Sequence, residues 1–164
     1  LDTLSDRSRF TGVDDIRQFR GALPWPARGR VVRGFGKKYL PKYSTYTVCN
    51  GLRFDAPSGS EVTAVFPGEV AYARFFKGYG NMLIIDHGDH YYTVYAHLEA
   101  LFKARGDSVD ADEVIATVGE TATPAGPGLH FEVRHYGKPV DPLAWLRTTD
   151  TGRAASDRKK GVKG

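Results

Sequence analysis

The stretch NMLIIDHGDHYYTVYAHL, residues 81–98, decides the fold. It holds two short apolar and aromatic runs, NMLIIDH and YYTVYAHL, bounded by Gly and Asp, which is the pattern of strands rather than of a long helix. Working outward, GRVVRGFG, GLRFDAPSGSEVTAV, GEVAYARFF, EVIATVG and LHFEVRHY repeat that pattern, each closed by Gly, Asp or Pro. In KKYLPKYSTYTV, Pro41 argues against a central strand, so this segment reads as a loop or extended chain. Many short strands with helix only at the margins imply a mostly β domain, an antiparallel sandwich or barrel. One marginal helix is VDDIRQFRGAL, where Val13, Ile16, Phe19 and Leu23 recur at helical spacing until the prolines of LPWP stop it. The other is a single turn at DPLAWL that docks Trp145 and Leu146 on the core.

These readings divide the chain into a lead-in over residues 1–22, a β domain over 23–146 and a tail over 147–164. At 164 residues the chain is long enough to bury a sizeable core, and no apolar run approaches the ~18 residues of a membrane span. The net charge of +4 is located in the tail, which carries six basic and two acidic side chains. Residues 1–146 are therefore neutral overall, with 17 basic against 17 acidic side chains (23 − 6 and 19 − 2). A nucleic-acid surface is not indicated. The tail lacks hydrophobic periodicity and is expected to be disordered. The chain opens on Leu1 rather than Met, so a longer parent protein is expected and the missing leader says nothing about it. Cys49 is the only cysteine, which excludes an intramolecular disulfide and a thiolate zinc cluster.

Alternation splits the last long strands into faces. In LHFEVRHY, Leu129, Phe131 and Val133 face the core while His130, Glu132 and Arg134 face away from it. In YYTVYAHL, Tyr92, Val94, Ala96 and Leu98 form the apolar set, and Tyr91, Thr93, Tyr95 and His97 point the other way. Each strand thus delivers a histidine to a polar face. Alternation alone leaves open whether this face is a groove rich in hydrogen-bonding groups or a solvated exterior.

The order of segments closely resembles the LytM or lysostaphin-type zinc endopeptidases of bacterial cell walls. GLRFDAPSGSEVTAVFPGEVAYARFFKGYGNMLIIDHGDHYYTVYAHL is similar to the first two-thirds of that domain, and GDSVDADEVIATVGETATPAGPGLHFEVRHYGKPVDPLAWL to the remainder. The resemblance implies a mostly antiparallel β domain of the LytM peptidase type, duplicated-hybrid-motif-like, with a groove over one sheet. Active members hold zinc through a His-x-x-x-Asp pair and the second histidine of His-x-His. The first histidine of that motif and one in Tyr-x-His assist the attacking water. Carried onto this chain, the first ligand position holds Cys49, the aspartate position Arg53, and the first histidine of His-x-His is Gly128. Only His130, the remaining ligand, and His97 of YAH are kept.

A catalytic zinc needs three protein ligands and an open position for water. A guanidinium is a permanent cation, and within a few Å of a dication it is repelled by several kcal/mol at an effective dielectric of roughly 20. The expectation is therefore a non-catalytic domain without cofactor. Degenerate members of this type resemble the murein hydrolase activators of the EnvC and NlpD types, and FRGALPWPARGRVVRGFG is similar to the segment joining the EnvC-type coiled coil to its domain. The resemblance implies a periplasmic protein of the Gram-negative envelope. Its expected partner is an N-acetylmuramoyl-L-alanine amidase, with peptidoglycan as a second. The expected contact groove is lined by Arg53, Tyr79, Tyr95, His97, His130, Glu132 and Arg134. Two alternatives stay open: a zinc endopeptidase with altered ligands Cys49, His130 and Asp55, and a plain peptidoglycan-binding module.

Overall fold

The computed structural model describes residues 15–148, so Val13 of the first marginal helix and most of the basic tail lie outside the described residues. Its strands are β1 (Arg30–Arg33), β2 (Gly36–Leu40), β3 (Thr45–Cys49), β4 (Leu52–Asp55), β5 (Glu61–Thr63), β6 (Gly68–Phe76), β7 (Gly80–Gly88), β8 (Tyr91–Leu101), β9 (Ser108–Val109), β10 (Val114–Val118), β11 (Gly128–His135) and β12 (Lys138–Val140). The main sheet runs β1-β4-β11-β8-β7-β6-β9; β12 pairs with β11, and β10 pairs with both β8 and β5. Every strand pairing is antiparallel. The β architecture expected from the short bounded runs is the one observed.

Two tight turns set the register of the central strands. β7 and β8 are joined through Asp89 and His90, both at positive φ, and β11 and β12 through Tyr136 and Gly137, also both at positive φ. Two-residue turns of this kind match the right-handed twist of paired strands. β2 and β3 form a separate two-stranded ribbon, with Pro41 in the 3-10 turn Pro41–Tyr43 between them. A proline there needs no ladder partner, which is why KKYLPKYSTYTV forms strands despite it.

The core lies on one face of the sheet and includes Leu52, Phe54, Leu83, Ile85, Leu98, Leu129, Phe131 and Val133, joined by Val62, Ile115 and Val118 of β5 and β10. The first marginal helix is a single 3-10 turn, Ile16–Phe19, capped by the Asp15 carboxylate, which accepts the Arg17 N–H. Ile16 and Leu23 are buried in the same core, and Gly21 and Leu23 donate backbone N–H bonds to the Trp145 carbonyl. DPLAWL forms the 3-10 turn Pro142–Ala144, and Trp145 and Leu146 are buried as expected.

One face assignment is overturned. Tyr91, Thr93 and Tyr95 are buried on the core side, Tyr95 opposite Phe131 and Thr93 opposite Val133. Tyr92 and Val94 instead lie opposite Arg134 and Glu132 on the far face. Tyr95 is therefore not a groove residue. The polar atoms of this set are satisfied internally. The Val65 N–H donates to the Tyr95 hydroxyl at 3.3 Å; Tyr95 and Thr93 hydroxyls are 2.9 Å apart, and Thr93 Oγ1 is 2.7 Å from His87 Nε2. His87 Nδ1 lies 2.9 Å from the Pro67 carbonyl and donates to it, which leaves Nε2 as an acceptor. The single Thr93 hydroxyl hydrogen then goes to His87, and Tyr95 donates to Thr93. Every member of the chain is paired, so these polar groups are tolerated in the core. Burial pushes the His87 imidazole down to about 4.

Candidate functional site

His97 returns to the far face because β8 carries an extra residue. Between β7 and β8, Leu83 pairs with Tyr95 but Asn81 pairs with Leu98, so two steps on one strand match three on the other. His97 takes up the slack at φ 62°, and its N–H donates to the Tyr79 carbonyl at 2.8 Å. This bulge exchanges the directions of His97 and Leu98 relative to strict alternation. His97 was placed on the correct face, for a reason that alternation does not supply.

Cross-strand pairing brings the remaining residues together. His130 lies opposite Arg53 on β4 and opposite Ala96 on β8. Its ring centroid is 6.1 Å from that of His97 and 5.8 Å from that of Tyr79. Tyr79 sits in the turn between β6 and β7, which aims it back over the sheet. At the centre is Glu132, fully buried. Its carboxylate accepts from Tyr79 Oη at 2.9 Å, from His130 Nε2 at 2.7 Å and from Arg134 Nε at 2.6 Å. Arg134 also donates to the Gly137 carbonyl at 2.9 Å.

The electrostatics follow from that arrangement. Burial pushes the Glu132 carboxyl up, but hydrogen bonds from His130 and Arg134 outweigh it and hold the group below its ordinary range. Burial likewise opposes charge on His130, yet Cys49 and Glu132 together hold it up to about 9. The Cys49 thiol is raised by burial and lowered further by its hydrogen bond with His130, for a net fall. Burial pushes the His97 imidazole below its ordinary value. Its Nδ1 donates to the Thr121 carbonyl at 2.7 Å, which leaves Nε2 as the acceptor nitrogen. His130 and Arg134 thus flank one buried anion, with Arg53 facing His130 from the neighbouring strand.

Arg53 is anchored rather than free: it donates to the carbonyls of Gly126 at 2.8 Å and Pro127 at 3.1 Å. A β-carbon on Gly128 would lie 2.5 Å from Arg53 Nη2 and 2.7 Å from the Phe54 carbonyl oxygen. This residue set does not fit a catalytic zinc ion. The position opposite His130 is a fixed cation, and no side chain fits at 128. Among the described residues no three His, Cys, Asp or Glu side chains converge to hold a metal.

Beside the ionic cluster is a cleft of about 770 Å³, whose lining includes Phe76, Tyr79, Met82, Tyr92, Val94 and Arg134. Phe76, Met82, Tyr92 and Val94 were missed. Tyr92 and Val94 carried a signal, being opposite Arg134 and Glu132, but it becomes readable only once the β8–β11 register is known.

With the geometry in place, comparison with known proteins is informative. The sequence pattern of peptidase family M23 matches residues 47–142. The chain belongs to this family. The murein hydrolase activator NlpD of Escherichia coli (strain K12) is 36% identical over 123 residues, covering 74% of this chain and 30% of that protein. The murein hydrolase activator EnvC of the same organism is 29% identical over 144 residues, covering 88% of this chain and 33% of that protein. Among solved structures, a zinc-containing peptidase from Vibrio cholerae superposes with a TM-score of 0.69 at 32% identity, over 76% of this chain and 40% of that one. The chain spans about a third of the length of these curated relatives. Proteins similar to this chain thus include both murein hydrolase activators and a zinc-containing peptidase, and the LytM-type β fold expected from the resemblance is the one found.

Proposed function

We infer that this domain is a non-catalytic activator of a cell-wall hydrolase in the periplasm of a Gram-negative envelope. Its partner is an N-acetylmuramoyl-L-alanine amidase, stimulated during the splitting of septal peptidoglycan. The observation that carries this reading is the Arg53 guanidinium, tied to the Gly126 and Pro127 carbonyls over Gly128, where the family resemblance calls for an anionic ligand and a catalytic histidine. Relatives named murein hydrolase activators support the same role.

The contact surface is the far face of the sheet, where Arg53, Tyr79, His97, His130, Glu132 and Arg134 adjoin the apolar cleft. Three cationic groups around one carboxylate leave an excess of positive charge beside apolar surface. Such a surface suits a protein segment that presents a carboxylate next to apolar side chains. In the full-length protein an upstream coiled coil links the domain to the division machinery.

The test is dye release from labelled sacculi by a purified amidase, with and without this domain, together with metal analysis of the domain. Stimulation without cleavage by the domain alone is expected, lost in Arg134→Ala and Arg53→Glu. Unchanged stimulation by both variants overturns the choice of surface. Near-stoichiometric zinc with chelator-sensitive cleavage by the domain alone overturns the non-catalytic role.

A further inference from the structure

The cleft beside the ionic cluster has a floor set by strand register. Glu132 of β11 lies opposite Val94 of β8, Val94 opposite Ile84 of β7, and Ile84 opposite Tyr72 of β6. All four line the cleft, so its floor runs across the strands from the buried carboxylate out to β6. Three interstrand steps make that row about 14 Å long. Met82 extends the floor along β7 and Phe76 along β6, where the Phe76 side chain is exposed.

The two ends of the row differ in chemistry. From Val94 to Tyr72 the floor is the face of paired strands, whose backbone groups bond to one another across the ladder. The neighbouring hydroxyls are engaged or sealed: Tyr72 Oη donates to the Phe75 carbonyl at 2.8 Å, Tyr79 Oη donates to Glu132 at 2.9 Å, and Tyr92 Oη is buried. A polar group laid on this stretch loses water and gains little, which is costly. At the other end, His130 and Arg134 share the single Glu132 carboxylate. Arg134 donates to Glu132, to the Gly137 carbonyl and to Tyr79 Oη, which leaves two of its five N–H groups (5 − 3) for a ligand.

We propose that this cleft binds a free single-chain fatty acid, with its carboxylate at Arg134 and its alkyl chain laid across Val94, Ile84 and Tyr72. The cleft volume of about 770 Å³ lies within the range of small-molecule sites. An alkyl chain brings no donor or acceptor to the apolar stretch, and burying it there removes apolar surface from water on both sides. A carboxylate head complements the excess cation and takes charge-assisted hydrogen bonds from the guanidinium. Met82, the single methionine of the chain, contributes an unbranched side chain that adapts to such a guest. Binding itself does not depend on the activator role; its consequence, competition with the partner segment for the far face, rests on that reading.

Isothermal titration of the chain with octanoate, decanoate and dodecanoate, each below its micelle concentration, tests the assignment. One-to-one binding is expected, with affinity rising about fourfold for each methylene buried. Dodecanol binds about tenfold more weakly than dodecanoate. Ala71→Phe, which sets a ring in the cleft, weakens dodecanoate binding about tenfold while circular dichroism melting stays as in wild type. The Met82 methyl resonance, unique in the chain, shifts on saturation with dodecanoate. Lys38→Glu, on the exposed β2–β3 ribbon, binds as wild type does. Absence of saturable binding, affinity independent of chain length, equal binding of dodecanol or an unmoved Met82 resonance overturns the proposal. So does wild-type affinity in Ala71→Phe, or binding to phosphatidylglycerol vesicles without binding to monomeric dodecanoate. None of these measurements uses an amidase, so failure here and failure of the activator reading are separately visible.

Discussion

Arg53 occupies the space that a side chain on Gly128 would need. A β-carbon there would meet Arg53 Nη2 at 2.5 Å and Cζ at 2.7 Å, and the Phe54 carbonyl oxygen at 2.7 Å. The two residues are thus physically coupled: the guanidinium fills the space beside the glycine.

Restoring a side chain at 128 alone therefore harms the fold. Gly128→Ala is expected to destabilise the domain by about 1–3 kcal/mol in denaturant unfolding. Adding Arg53→Ala recovers only part of this, since the Phe54 carbonyl stays in place. Full additivity of the two changes would show that the residues are not coupled.

Glu132 has the opposite character, a buried anion whose removal strands its partners. Glu132→Gln leaves His130 and Arg134 without their shared counter-charge and is expected to cost about 3–5 kcal/mol in urea unfolding. The His130 imidazole should then titrate well below its wild-type midpoint, as read by NMR.

Two histidines give stability a maximum in pH. His130, held up to about 9, binds its proton more tightly folded than unfolded. Its contribution is complete below about 6.5, the ordinary histidine value, and is lost as pH rises through about 9. His87, pushed down to about 4, is neutral when folded but takes a proton when unfolded. Stability from this group is complete above about 6.5 and falls by on the order of 3 kcal/mol as pH drops to about 4. Denaturant midpoints measured from pH 4 to 10 should decline on both sides, and His130→Gln should flatten the alkaline side.

Two tyrosines of the same cleft should respond differently to losing a hydroxyl. Tyr92 Oη is buried and, among the described residues, is the side-chain polar atom left without a hydrogen-bond partner. Tyr92→Phe is expected to leave thermal stability unchanged or raise it by up to about 1 kcal/mol. Tyr79 Oη donates to the buried Glu132 carboxylate, so Tyr79→Phe is expected to cost about 1.5–3 kcal/mol. Equal effects would contradict the assigned partners.

What the sequence determined by itself is whatever depends on short-range chemistry. Strand length, bounding Gly and Pro residues and the alternation of LHFEVRHY placed His130, Glu132 and Arg134 on one face, because an uninterrupted strand turns every second side chain the same way. The expectation that Cys49, Arg53 and Gly128 replace zinc-site residues likewise rests on residue type and the family resemblance alone, since a guanidinium or a missing side chain cannot do the work of a carboxylate or an imidazole. The remaining features depend on contacts between distant strands. The bulge at His97 reverses parity within β8, and whether an extra residue is absorbed there depends on β7, which lies earlier in the chain. The burial of Tyr95 depends on a hydroxyl relay through Thr93 to His87 that no local spacing encodes. Pairing of β4 with β11 is what carries Arg53 across to Gly128, 75 residues away in the chain (128 − 53). A contact between distant strands is set by register, and register is a property of the folded sheet.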